Sequence, residues 1–190
     1  MTSIQPTATA ELDSALAALH AAKEDWVNIS CDERVSLLAQ LLEDTFAQAD
    51  AWVGAGCKAK GVNRGEQAEG EEWIGAYMPV LRNIRLLKEA LAKGAKPRLP
   101  KVTTTADGQH VAQIFPQDLK EKIMFAGFTA EIWIEKDKPP SQGQVYSNAS
   151  KKSGVALILS AGNQTSIGPM DCLYKLFVEN QVCILKMNPV

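Results

Sequence analysis

Histidine is almost absent from the chain, with only His20 and His110, and the four cysteines, Cys31, Cys57, Cys172 and Cys183, never fall into a CxxC spacing. A Cys/His zinc cage is therefore not expected, and no metal site is read here. Neither histidine has an evident Ser or Cys partner, so no Ser/His or Cys/His nucleophilic engine is visible. Long apolar runs are missing too: Val155–Leu159 falls far short of the roughly 18 residues a bilayer span needs. Met1 to Glu11 carries no basic segment followed by an apolar one, which speaks against a secretory signal. The expected setting is cytoplasmic, with reduced thiols and no membrane partner. No dense basic stripe exists either. Residues 1–95 hold nine basic and fourteen acidic side chains, and residues 96–190 hold eleven and eight, so a nucleic-acid partner is not expected.

What is present is ordinary for a globular protein: 190 residues, 46% hydrophobic, 22% charged and a formal charge of −2. That is enough chain to bury a core. From Ala10 to Lys93 the apolar residues recur at helical spacing, beginning with Leu12, Ala15, Leu16, Leu19 and Ala22. Ser30 with Glu33 forms a capping-box pattern, and Val35, Leu38, Leu42, Ala49 and Val53 then line one face. Gly54, Gly56 and Gly61 are expected to end that helix. A third stripe, Trp73, Ala76, Tyr77, Val80, Leu81, Ile84 and Leu87, contains Pro79. An interior proline costs about 3 kcal/mol, which predicts a kink or two abutting helices near Met78, the second starting with Pro79 in its first turn. Gly94, Pro97 and Pro100 close a helical region over residues 1–100.

Composition changes beyond that point. Val102–Thr105, Val111–Phe115 and Ala130–Glu135 are short β-branched or aromatic runs divided by turn residues. Ala130–Glu135 and Gln144–Ser147 are expected to pair as a protruding hairpin with an exposed Lys136–Gly143 tip, within a strand and hairpin segment over residues 101–153. The last part, residues 154–190, differs again: Val155–Leu159, a loop, a helical stretch over Pro169–Glu179, a turn at Asn180, then Val182–Leu185. Continuous apolar runs indicate strands buried on both faces, and strand, helix, strand indicates one βαβ unit with a right-handed crossover. The fold class is thus α/β: an N-terminal helical region, a protruding β-hairpin, and the first βαβ unit of an incomplete Rossmann-like parallel sheet. One βαβ unit cannot cover both faces of its own sheet.

Asn163 sits where a parallel strand opens into a loop, the sheet edge at which α/β proteins bind ligands. Its amide either donates to an oxyanion or caps a turn. Lys186 emerges at the same end of the neighbouring strand, as a ligand contact or as a solvent lysine. The loop holds Gly162 and Gly168 but no GxGxxG, so a dinucleotide held by three glycines is unsupported. Cys57 lies between glycines and lysines that either depress its pKa or simply end a helix. Cys172 and Cys183 read as buried small hydrophobes.

Taken together, Gly154–Asn163, Pro169–Asn180 and Val182–Lys186 resemble the first βαβ unit of the aldehyde dehydrogenase superfamily, with 23 positions from Asn163 to Lys186. The helical region and the Ala130–Ser147 strands resemble that family's N-terminal helices and its subunit-association hairpin more weakly. The resemblance implies an N-terminal part of an oxidoreductase that uses NAD or NADP, oxidises an aldehyde through a Cys thiohemiacetal and thioester, and forms a homo-oligomer. It implies that Asn163 helps hold the oxyanion, that Lys186 hydrogen-bonds the adenosine ribose, and that Ser160, Ala161 and Gly162 line the cofactor. Gly162, Gln164-Thr165 and Pro189 depart from the family's usual Trp, Phe-Pro and ribose-binding Glu. The family's nucleophilic Cys and general-base Glu come from further downstream, so the 190-residue chain is expected to be inactive alone. Two other readings are a truncated interaction or regulatory module, and part of an acyl-group reductase of the same superfamily.

Overall fold

The structure, a computed structural model of the chain, describes residues 5–96, 99–147 and 153–188. Mixed α/β elements fall into two compact units, one made of Met1–Gly94 with Val145–Val190 and the other of Ala95–Gln144. In the first unit, α1 (Thr9–Asn28) gives way to α2 (Cys31–Ala47) at the capping box read from sequence. Ser30 Oγ accepts from the Glu33 amide at 3.2 Å, and Glu33 Oε2 accepts from the Ser30 amide at 2.9 Å. Two of the amides that α2 leaves unbonded at its start are thereby satisfied.

The face predicted through Val53 exists but is broken at Gln48, where α3 (Ala49–Lys60) begins. Gly54 and Gly56 do not end a helix, as expected, but lie within α3. Gly61 alone ends it, at φ 70°. A Cβ at Gly56 would fall 2.1 Å from Glu72 Oε2, so the buried carboxylate or the helix must shift to admit one. The core of this region joins Val53, Cys57 and Tyr77 with Ala49, Trp52, Val62, Trp73 and Leu81. Tyr77 adds a polar task, donating its hydroxyl to the carbonyls of Thr45 (3.0 Å) and Phe46 (3.3 Å) in the last turn of α2.

Pro79 acts as its position predicts. After the single turn α4 (Glu69–Glu71) comes a π turn, Glu72–Tyr77, and then α5 (Met78–Ala92) with Pro79 in its first turn. α5 packs along α2 and buries Val80, Ile84 and Leu91. Gly94, at φ 69°, turns the chain out of the helical region, while Pro97 lies outside the described residues.

The second unit is a three-stranded antiparallel sheet, β1 (Lys101–Thr104), β2 (His110–Phe115) and β3 (Ala130–Trp133), in the order β1-β2-β3. A short helix, α6 (Leu119–Met124), lies between β2 and β3. The expected pairing of Ala130–Glu135 with Gln144–Ser147 does not form. β3 instead takes the free edge of β2, with Ala112 opposite Ile132, and Gln144–Ser147 is a helical turn, α7. β3 is thus already paired, and Tyr146 in the helical turn donates its hydroxyl to the Phe177 carbonyl at 2.5 Å.

Back in the first unit, β4 (Val155–Leu159), α8 (Ile167–Phe177) and β5 (Val182–Lys186) form the predicted βαβ segment, with β4 and β5 parallel and Leu159 opposite Lys186. The strands are not buried on both faces. α8 packs against both, and Ile158 is buried, but Leu157 and Leu159, alternating to the other face, are 65% and 67% exposed.

The far end of α8 is tied to the helical region by a group that sequence did not suggest. Arg34 is fully buried. Its guanidinium donates to the carbonyls of Leu176 (3.2 Å), Ile29 (3.4 Å) and Trp26, and to Asn180 Oδ1 (2.6 Å). It also stacks over the Trp26 ring at 4.4 Å, while Trp26 Nε1 donates to the Leu176 carbonyl at 3.0 Å. The Leu176 carbonyl, in the last turn of α8, thus finds donors from both α1 and α2. Asn180 takes the left-handed conformation, φ 60°, that the expected turn requires.

Candidate functional site

Parallel pairing brings the predicted residues to one place. Leu159 pairs with Lys186 as the last rung, and the Ser160 amide donates to the Lys186 carbonyl at 3.0 Å, so the Ser160–Asn163 loop and Lys186 leave the sheet side by side. This is the carboxyl end of the strands, beside the start of α8. Gly168 permits that closeness, since a Cβ there would lie 2.6 Å from Ser160 Oγ. Gly162 is filled in the same sense by the segment after β5, with Asn188 Nδ2 2.7 Å from the position a Cβ would take.

Asn163 and Lys186 are both exposed. The Asn163 side chain makes no hydrogen bond to the described residues, and no side chain caps the first turn of α8. Lys186 likewise makes no ion pair among the described residues. Ser160 and Ala161 are half-buried and Gly162 is exposed, while Pro189 lies outside the described residues.

Sequence reading missed how the following loop residues are held. Trp52 Nε1 donates to Thr165 Oγ1 at 2.7 Å, Gln164 Nε2 donates to Glu71 Oε1 at 3.3 Å, and Ser166 Oγ donates to the Gly75 carbonyl at 3.3 Å. Three side-chain bonds therefore tie the β4–α8 loop to α3, α4 and the π turn. The one available signal was Pro79 inside an otherwise helical stripe, because π turns often mark functional places.

Beneath this contact Glu72 is buried, only 1% exposed. Its Oε1 lies 2.6 Å from Lys60 Nζ, an ion pair without the angles of a directed hydrogen bond, and Oε2 has no hydrogen-bond partner among the described residues. Glu72 and Glu71 hold the Lys60 ammonium above its usual pKa. Nearby, the Gly65 amide and the Trp73 indole donate to Glu69, which together with Arg64 draws its carboxyl below the usual range. Gly56→Ala is expected to destabilise the chain by about 1 to 3 kcal/mol through overpacking against Glu72, although Gly→Ala within a helix ordinarily stabilises by up to about 1 kcal/mol. Urea denaturation of Gly56→Ala and of Gly56→Ala/Glu72→Ala checks this. The double variant should recover part of the loss, and equal stability of Gly56→Ala and the parent would refute it.

Two of the four cysteines have thiols held above their usual pKa. Cys57 is buried in the α3 core, and its thiol is pushed up by that burial and by Glu69. Burial and the neighbouring Cys183 push the Cys172 thiol up to about 12. Cys172 and Cys183 are half-buried rather than buried. His110 Nδ1 lies 3.2 Å from Thr104 Oγ1. Among the described residues no group of three or more His, Cys, Asp or Glu is arranged to hold a metal ion, and no helix is long and apolar enough to cross a membrane. Compared with protein-family models, with curated proteins and with solved structures, the chain has no match.

Proposed function

We propose that the chain is the N-terminal part of an NAD(P)-dependent, aldehyde dehydrogenase-like oxidoreductase, ending in the first βαβ unit of a Rossmann-like cofactor sheet. The observation that carries this reading is the parallel β4–β5 pair itself. It sets the Ser160–Asn163 loop and Lys186 at one end of the sheet, while its apolar Leu157 and Leu159 stay exposed as they would before further strands or helices cover them. The residues fit a dinucleotide in donor type: Lys186 is an exposed ammonium beside an open strand-to-helix loop. Bound there, NAD(P) would supply a hydride acceptor. Lys186 would hold a ribose hydroxyl, Ser160, Ala161 and Gly162 would line the approach, and the Asn163 amide would donate to negative charge developing on the substrate oxygen. The substrate would be a small-molecule aldehyde and the setting cytoplasmic.

The nearest test is the coding sequence beyond codon 190, which this reading expects to continue in frame into a cysteine nucleophile and a glutamate base. Purified alone, the 190-residue chain should not oxidise aldehydes with NAD or NADP, because this reading takes the cysteine nucleophile and the glutamate base from further downstream. In the complete protein, Lys186→Ala should remove a charge-assisted hydrogen bond worth about 1.5 to 3 kcal/mol and raise the cofactor Kd by roughly one to two orders of magnitude. Calorimetric titration checks this, and an unchanged Kd would return Lys186 to the role of a solvent lysine.

A second reading, a non-catalytic interaction module acting through residues 101–153, draws on β3. This is an edge strand with Ile132 51% and Trp133 61% exposed. In the oxidoreductase reading the same strand serves homo-oligomer assembly. A reading frame that stops at Val190 would favour the module.

A further inference from the structure

We propose that the π turn Glu72–Tyr77 is a positioning element for the β4–α8 loop, with Pro79 freeing the Gly75 carbonyl for Ser166 so that this bond and the Trp52–Thr165 bond close together. The argument begins with a missing donor. In an α-helix the Gly75 carbonyl would accept from the amide four residues on, and residue 79 is proline, which has none. The chain widens there: the Met78 amide reaches back five residues to Trp73. Ser166 is 4% exposed and its hydroxyl, 3.3 Å from the Gly75 carbonyl, donates where Pro79 cannot. A buried hydroxyl and a carbonyl that residue 79 cannot serve meet at hydrogen-bond distance.

The neighbouring residue carries the second tie. Thr165 accepts the Trp52 indole at 2.7 Å, and Trp52 meets Tyr77, the last residue of the π turn, edge to face at 5.9 Å. Ser166 and Thr165 thus hold two points of one element, Gly75 directly and Tyr77 through Trp52. Gln164 adds a third bond to Glu71, just before the turn. Asn163 stands at the free end of this clamp, exposed and without a hydrogen bond to the described residues. The clamp fixes the backbone of Gln164–Ser166 and leaves the Asn163 amide available. That this serves chemistry at Asn163 rests on the oxidoreductase reading; the coupling between the two bonds does not.

The test follows hydrogen exchange of the Trp52 indole proton by NMR in the full chain. Neither Ser166 nor Pro79 is hydrogen-bonded to Trp52, so a purely local role for either would leave that proton alone. Ser166→Ala is expected to speed its exchange about fivefold, the effect of losing one net hydrogen bond from a coupled pair. Pro79→Ala returns an amide that competes for the Gly75 carbonyl, and is expected to change the rate in the same direction. Thr165→Val removes the acceptor and gives the rate of the released indole. A parental rate in either Ser166→Ala or Pro79→Ala overturns the proposal. Asn163→Ala should leave the indole rate unchanged whatever it does to turnover in the complete protein, so the positioning role and the oxidoreductase reading fail separately.

Discussion

Arg34→Leu is expected to lower the stability of the chain by about 3 kcal/mol or more, and Arg34→Lys to recover less than half of that. Leucine fills much of the volume but donates nothing, so Asn180 Oδ1 and the Trp26 carbonyl lose the guanidinium that bonds them in a buried place. Each such orphan costs about 1 to 3 kcal/mol, and loss of the stacked cation over Trp26 adds about 0.5 to 2 kcal/mol. Lysine restores a charge but not the planar fork, which reaches α1, α8 and Asn180 at once. Urea denaturation of the three proteins measures the differences. A second readout is local: burial pushes the Tyr146 phenol up, and the charge of Arg34 draws it partly back. Removing the guanidinium should therefore raise the Tyr146 pKa further, visible in an absorbance titration. Unchanged stability together with an unchanged Tyr146 titration would mean that Arg34 is a passenger in its site.

Arg34 also marks the limit of what could be read from sequence. Local signals were legible because their causes are local. Ser30 and Glu33 are three residues apart and bond each other, Pro79 cannot donate to the turn before it, and Asn180 tolerates φ 60°. The parallel β4–β5 pair was legible from two apolar runs separated by a helical stretch. Features that depend on distant partners were not. Nothing near Arg34 in sequence announces the Leu176 carbonyl of α8, more than 140 residues later, to which it donates. Gly56 reads as a helix end because nothing near it in sequence announces the Glu72 carboxylate in the space of its missing Cβ. Tyr146 reads as a strand residue because its β propensity is intrinsic, whereas the Phe177 carbonyl that it meets from a helical turn is not. The candidate site divides the same way. Ser160, Ala161, Gly162, Asn163 and Lys186 follow from strand ends, but the clamp of Trp52, Gly75, Thr165 and Ser166 is tertiary.

In the complete protein expected by the oxidoreductase reading, Asn163→Ala should lower kcat by roughly two to three orders of magnitude while cofactor affinity changes little. An amide aimed at an oxyanion acts mainly on charge that develops in the transition state, and loss of one such donor typically costs about 2.7 to 4 kcal/mol there. The cost is large only if the amide is free to turn toward the substrate, and here no hydrogen bond to the described residues engages it. Asn163→Asp is the sharper variant. It keeps the shape but places an acceptor, negatively charged when ionised, against the developing oxyanion, so it should be at least as damaging as alanine. A turn cap predicts the opposite order, since aspartate caps as well as asparagine does and alanine does not. Steady-state kinetics and cofactor titration on the two variants separate these cases. If Asn163→Asp retains activity while Asn163→Ala loses only stability, the residue shapes the loop and does no chemistry.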